Sequence, residues 1–201
     1  MSSPAAIGFR AHSGWAAAVA LVQASAGPPD PPVVVARRRI EMRERGASGP
    51  SQPYHAAVGL DIREARQHVE TCAARAADLA TSELRGMVED LRQLGHPVVG
   101  CGLVLASGRP LPSLEKILTA HPLLHAAEGE LFREALRAAS RECGLPLTTV
   151  KEHDLNTRVV SEFRRQGCDF DQLVTGMGKA IGPPWGLDQK NAALVAWLAL
   201  V

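Results

Sequence analysis

The hydrophobic pattern changes period along this chain, and each change marks an element. From Ala6 to Val22 the sequence reads as two short strands around a His12-Ser13-Gly14 turn. In the first, Ile7, Phe9 and Ala11 fall on one face, and Gly8, Arg10 and His12 on the other. The second, Trp15 to Val22, is apolar almost throughout, as expected of a strand covered on both faces. Residues 23–32, QASAGPPDPP, carry too many prolines for a sheet interior and read as a loop. A third strand follows from Val33 to Met42. It places Val34, Ala36, Ile40 and Met42 on one face, interrupted by Arg38, with Arg37, Arg39 and Glu41 opposite. That alternation splits the triple arginine between faces, so it reads as a solvated strand surface rather than an anion site.

After a second Gly-, Ser- and Pro-rich loop (residues 43–53), the period becomes helical. From Asp61 to Leu94 the apolar positions Ala65, Val69, Cys72, Ala76, Leu79, Leu84, Met87, Leu91 and Leu94 step mostly by three and four, one buried stripe of a long amphipathic helix. Asp61 is its N-cap, with Glu64 in capping-box position, and Gly95 then Pro97 close it. Pro97 to Ala106 is a continuous apolar run, a buried strand whose Gly100 and Gly102 suggest close approach of a neighbouring element. A short helix capped by Ser113 breaks at His121 and restarts at Pro122, running to about Cys143 before Gly144. Leu145 to Lys151 is a short strand. Asn156 caps a helix through Arg165, and another spans Phe170 to Ile181. A rigid Gly182-Pro183-Pro184-Trp185-Gly186 turn precedes a final apolar helix begun by Asp188.

Composition narrows the possibilities. The 201 residues suit a single domain over 1–201, with 1–4 as a tail. At 46% hydrophobic but only 4% aromatic, the core must be aliphatic and alanine-rich. Lys and Arg total 22 against 21 acids, so no global basic field announces nucleic acid, and an anionic partner needs a local patch. Cys72, Cys101, Cys143 and Cys168 are too scattered for a zinc ribbon or redox pair, and fit free thiols in a reducing, cytoplasmic setting. Arg10, the apolar run to Val22 and Ala24-Ser25-Ala26 imitate a secretory signal, but the His-Ser-Gly break argues against one. The C-terminal run Ala192 to Val201 is too short to cross a bilayer, so no membrane association is expected.

Polar residues concentrate where this topology would gather strand ends and helix starts: His12, Ser13, His55, Asp61, Glu64, Ser107, Arg109, His121, His153 and Asp188. His121, His125 and Glu128 lie four and three residues apart on one helical face. Such a set could hold a transition metal, but two histidines and an acid are an incomplete site, and a solvated helix start is the plainer reading. Lys179 and Lys190 flank the proline turn and could meet phosphate, although exposed lysines are common. Trp185 is expected to pack against the last helix rather than stack on a base.

The order of three strands, helix, strand, helix, strand, helix resembles the ribonuclease H-like fold: a mixed sheet (βββαβαβα) with helices on both faces and strand one central. The Gly8–Gly14 region is similar to the first hairpin of Holliday-junction resolvases, where a G-x-D-x-G pattern ends strand one. Asp188-Gln189-Lys190-Asn191 before an apolar helix resembles their D-x-x-D helix start. The resemblance implies a nucleic-acid or phosphate-ligand binding or processing domain. In that family clustered carboxylates hold two divalent cations. Here the strand-one position carries Arg10 with His12 nearby, strand four ends in Ser107, and Asn191 stands at the partner position of Asp188. Only Asp61 or Glu64 is available as a replacement acid, so a standard two-metal nuclease is disfavoured. The residues implied are His12, Asp188 and Glu64 for chemistry, and Arg10, Ser13, Arg109 and Lys190 for ligand contact. The rival expectation is a noncatalytic scaffold with a decayed site.

Overall fold

The computed structural model describes residues 3–23, 31–43, 52–106, 110–162, 170–179 and 181–200. Five strands form one mixed sheet in the order β3-β2-β1-β4-β5. They are β1 (Ala5–His12), β2 (Trp15–Val22), β3 (Val33–Glu41), β4 (Val98–Leu105) and β5 (Leu147–Lys151). β1 pairs antiparallel with β2 and β2 with β3, while β4 runs parallel to both β1 and β5. Strand one is therefore central, with the hairpin on one side and the crossover strands on the other.

The helices are α1 (Pro53–Ala56), α2 (Ile62–Gln93), α3 (Leu114–Leu118), α4 (His121–Glu142), α5 (Leu155–Glu162), α6 (Phe170–Met177) and α7 (Leu187–Leu198). The long pair α2 and α4 covers one face, burying Leu84, Met87, Leu91, Phe132 and Leu136 against Ile7, Phe9, Ala18 and Leu103. Each such side chain removed from water contributes about 1.5–3 kcal/mol. The other face carries α7, with α5 and α6 beside it, over Val19, Leu21, Val34, Val104 and Val150. The apolar run in β2 is thus buried on both sides, as its lack of alternation predicts. Arg10 and Trp15–Val22 of the secretory imitation lie in the strands β1 and β2, Ala24 to Ala26 fall outside the described residues, and no described helix is long and apolar enough to cross a membrane.

Helix ends follow the sequence signals closely. The Asp61 carboxylate accepts from the Arg63 and Glu64 backbone N–H groups at 2.8 and 3.1 Å. These bonds hold its carboxyl below its ordinary range. α2 and α4 both end in paired backbone bonds at a glycine: Gly95 N–H to Arg92 O with His96 N–H to Leu91 O, and Gly144 N–H to Arg141 O with Leu145 N–H to Ser140 O. Each glycine takes a positive φ (84° and 67°), which a side chain would strain.

Four expectations are corrected. A register shift at Ala20/Leu21 turns Val34 toward the α7 face while Ala36 and Ile40 stay on the α2 face. The second loop yields at Pro53 to the short α1, because proline suits a helix start. His121 is the first residue of α4 and Ala120 its N-cap. Asn156 lies inside α5, which starts earlier because a 3-10 turn at Glu152–Asp154 runs into it.

α7 seats directly on the backbone of the sheet. A methyl group built on Gly8 would lie 1.9 Å from the Ala192 carbonyl oxygen, and one on Gly102 only 2.3 Å from that of Val195. Gly8 and Gly102 are partners in the β1–β4 ladder, so together they form the floor on which the helix rests. Gly8→Ala and Gly102→Ala are each expected to lose at least about 3 kcal/mol in urea titrations, since backbone cannot yield as a side-chain tip can. Gly86, exposed in α2 with nothing near its Cβ direction, should respond oppositely, Gly86→Ala gaining about 0.5–1 kcal/mol. Asp61→Ala should lower the thermal midpoint. Because the folded carboxyl is depressed, the gap from wild type is full above pH about 4 and closes as pH falls through the lowered value.

Candidate functional site

Alternation on β1 sends Gly8, Arg10 and His12 to the α7 face. Since Gly8 fixes α7 at Ala192, the first turns of α7 pass over the carboxyl end of β1. Asp188 thereby comes to His12, their Nε2 and Oδ1 atoms 2.9 Å apart, each side chain about one-third exposed. The nitrogen is within ion-pair distance but off the line of a good N–H···O bond. His12 is also stacked on Trp15, with ring centroids 4.3 Å apart and planes 11° from parallel. Arg39 lies over the Trp15 ring at 3.8 Å from its centroid, and pairs with Glu41. Guanidinium, indole and imidazole form one layered edge across β3, β2 and β1.

Arg10 points beneath the start of α7 and is clamped by Glu152, which directly follows β5. Arg10 Nη2 donates to both Glu152 oxygens at 2.9 and 3.0 Å, and Nε donates to Oε1 at 3.2 Å. Arg10 Nη1 also donates to the Ala11 carbonyl at 2.8 Å. The nearly buried Asn191 donates its Nδ2 hydrogen to Glu152 Oε1 at 3.3 Å, tying α7 to the pair. Neighbouring Lys190 donates to Thr175 Oγ1 at 3.0 Å on α6, beside a groove of about 430 Å³ lined by Gln172, Thr175, Gly176 and Lys179.

Of the residues expected from sequence, Arg10, His12 and Asp188 come together at this sheet end, Lys190 reaches instead to Thr175 on α6, and Ser13 is exposed at the tip of the adjoining hairpin. Glu64 does not join them: it sits in the first turn of α2, which covers the opposite face. Ser107 and Arg109 fall outside the described residues, as does Cys168. His153 faces solvent beside Asp154, and it is its neighbour Glu152 that turns inward. Sequence reasoning missed Glu152, although it identified the end of strand five as a site position; that rule selects a place and cannot select which of adjacent side chains points in. Trp185 packs over Gly178, where a Cβ would lie 2.2 Å from the ring, and donates Nε1–H to the Val174 carbonyl at 2.9 Å. Arg37 is not a solvated strand residue: it donates to the Gly182, Pro183 and Pro184 carbonyls and holds the proline turn.

The His121, His125 and Glu128 group lies on the other face. Glu128 is fully buried and accepts the Tyr54 and His55 backbone N–H groups at 2.8 and 3.2 Å. Burial pushes its carboxyl above the usual range, against the opposing pull of these bonds.

Neither a protein-family model nor a curated protein sequence matches the chain. Solved structures do. The structure of Thermus thermophilus RuvC aligns with a TM-score of 0.53 at 9% identity, covering 96% of this chain and 90% of that one. T. thermophilus RuvC in complex with a Holliday junction substrate aligns at 0.51, with the same identity and coverage. The fold is ribonuclease H-like, of the RuvC type.

At this identity the likeness carries architecture and no activity. The site itself must be tested for the two divalent cations of ribonuclease H-like nucleases, and the donors do not fit. Arg10 puts a guanidinium at the strand-one position, Glu152 is consumed neutralising it, Asp188 faces His12, and Asn191 offers no charge. At an effective dielectric of about 20, a dication about 4 Å from a guanidinium meets repulsion on the order of 8 kcal/mol. A double-mutant cycle between Arg10→Ala and Glu152→Ala, read by denaturant unfolding, should give a coupling of about 1 kcal/mol. The pair is bidentate, but Glu152 is 40% exposed and screened by water.

Proposed function

We propose that this chain is a nucleic-acid-binding ribonuclease H-like domain that does not cut by two-metal hydrolysis. The observation that carries the reading is the Arg10–Glu152 clamp, which puts a neutral ion pair where nucleases of this fold gather carboxylates. What the domain would offer a phosphate backbone is Arg39, half exposed on Trp15 and paired with Glu41, and Lys190 on α7. T. thermophilus RuvC, which shares the fold, is seen with a Holliday junction substrate, and this makes branched DNA the first ligand to try. His12 lies beside Asp188, so acid–base chemistry on a bound phosphate ester is open to this edge without a metal. A cytoplasmic setting accords with the unpaired Cys72, Cys101 and Cys143.

A second reading has its own support. Arg10, the residue most expected to meet an anion, is already occupied by Glu152, as it would be in a scaffold whose inherited site has turned structural. Fluorescence anisotropy with branched, double-stranded and single-stranded DNA and with RNA separates the two. Nucleic-acid binding predicts salt-sensitive association, weakened by Arg39→Ala and by Lys190→Ala, with the log–log salt slope falling by about 1 for each cation that no longer meets a phosphate. The same mixtures with Mg²⁺ should show no cutting above background. A folded protein that binds none of these at low salt would establish the scaffold. Rapid Mg²⁺-dependent cleavage, abolished in Asp188→Asn, would mean that the donor set holds metal despite Arg10.

A further inference from the structure

The sequence offers His121 and His125 one helical turn apart, with Glu128 the acid three residues on, and no third histidine beside them. Folding supplies it. His55, on α1, comes against the first turns of α4, where its ring centroid lies 5.3 Å from that of His121 and 4.9 Å from that of His125; the latter two are 4.4 Å apart. One ring nitrogen from each histidine lies within 4.8 Å of the others. Three imidazoles around a tetrahedral ion with bonds of about 2.05 Å have nitrogens about 3.4 Å apart. Exposed His121 and His125 can close that difference by side-chain rotation.

Glu128 explains why the third histidine is there. Its Oε1 accepts both the Tyr54 and His55 backbone N–H groups, pinning the four-residue α1 to α4, and lies 3.3 Å from His55 Nδ1. A carboxylate on one ring nitrogen of a histidine orients the ring and turns the other nitrogen toward a ligand. That other atom, His55 Nε2, is buried and has no hydrogen-bond partner, and neither has Glu128 Oε2. Glu128 is fully buried, so an acid with half its acceptors unmet is being held in the interior beside three imidazoles. Such an arrangement costs stability unless something completes it.

We propose that His55, His121 and His125 bind a single transition-metal ion of the Zn²⁺ class, with Glu128 as the positioning carboxylate rather than a ligand. The donor set is all imidazole, which selects zinc and its neighbours over Mg²⁺ or Ca²⁺. Three protein ligands leave a fourth position, and the exposure of His121 and His125 opens it to water. The ion would also staple α1 to α4. This site is on the face away from Arg10 and Asp188, so it stands or falls independently of nucleic-acid binding there.

The test uses the full-length protein without a histidine tag, titrated with Zn²⁺ in competition with a chromophoric chelator, and with Co²⁺ as a spectroscopic probe. One equivalent should bind and raise the melting temperature. His121→Ala and His125→Ala, both at exposed positions, should keep the apo fold by circular dichroism while weakening binding at least about 100-fold. Glu128→Gln should weaken it about 10–100-fold. Bound Co²⁺ should give visible d–d bands without thiolate charge transfer. Unchanged affinity in the folded His121→Ala/His125→Ala double variant would overturn the proposal, and so would a thiolate band showing that cysteines hold the ion.

Discussion

Everything at the carboxyl end of this sheet depends on how closely α7 can approach β1 and β4. Helices normally ride on the side chains of a sheet, but here two ladder-paired glycines remove them, and the carbonyls of Ala192 and Val195 come down onto strand backbone. Contact at that distance leaves no slack. With Ala192 fixed above Gly8, the residues one turn earlier on α7 must hang over Arg10 and His12, and Asp188 and Asn191 acquire their partners. Alanine along α7, at Ala192, Ala193 and Ala196, extends the same logic, since small side chains keep the layers close where larger ones would prop them apart.

On that frame the electrostatics turn on one side chain. A carboxylate in place of Arg10 would differ by two charges, and with Glu152 and Asp188 nearby it would make a strongly negative pocket that calls for cations. Arginine inverts that demand. Glu152 then becomes a counterion, Asn191 a neutral tether, and the interior of the site is balanced before any ligand arrives. Outside it, Arg39 pairs with Glu41 and lies on Trp15, where the indole supports the guanidinium through its π face.

The two sides of the sheet divide the polar chemistry between them. Both α2 and α4 begin at the end where β3 and β4 finish, so α1, α3 and the start of α4 crowd together on the face opposite α7. There the buried Glu128 does for α1 what Gly8 does for α7: it sets the position of a short element that has too little apolar surface to dock alone. The consequence is a cluster of imidazoles built from segments more than sixty residues apart in the chain.

What the sequence determined by itself was chiefly local. Period and punctuation suffice for strands such as Ile7–Ala11, for the 32-residue α2 with its Asp61 cap, and for the glycine-terminated ends of α2 and α4, because each is decided by backbone bonds within a few residues. Element order and the handedness of crossovers then narrow the sheet to a handful of arrangements, and Gly100 and Gly102 announce that something must come close. That strand one ends in Arg10 and His12 with no acid was likewise plain, being a residue identity. What only tertiary structure decided is pairing at a distance. Nothing local says that Glu152 rather than His153 turns inward, that Arg37 reaches across to the proline turn, or that His55 joins His121 and His125. Those choices follow from the orientation of whole elements, which is set by burial and close packing between layers, forces that act without regard to separation along the chain.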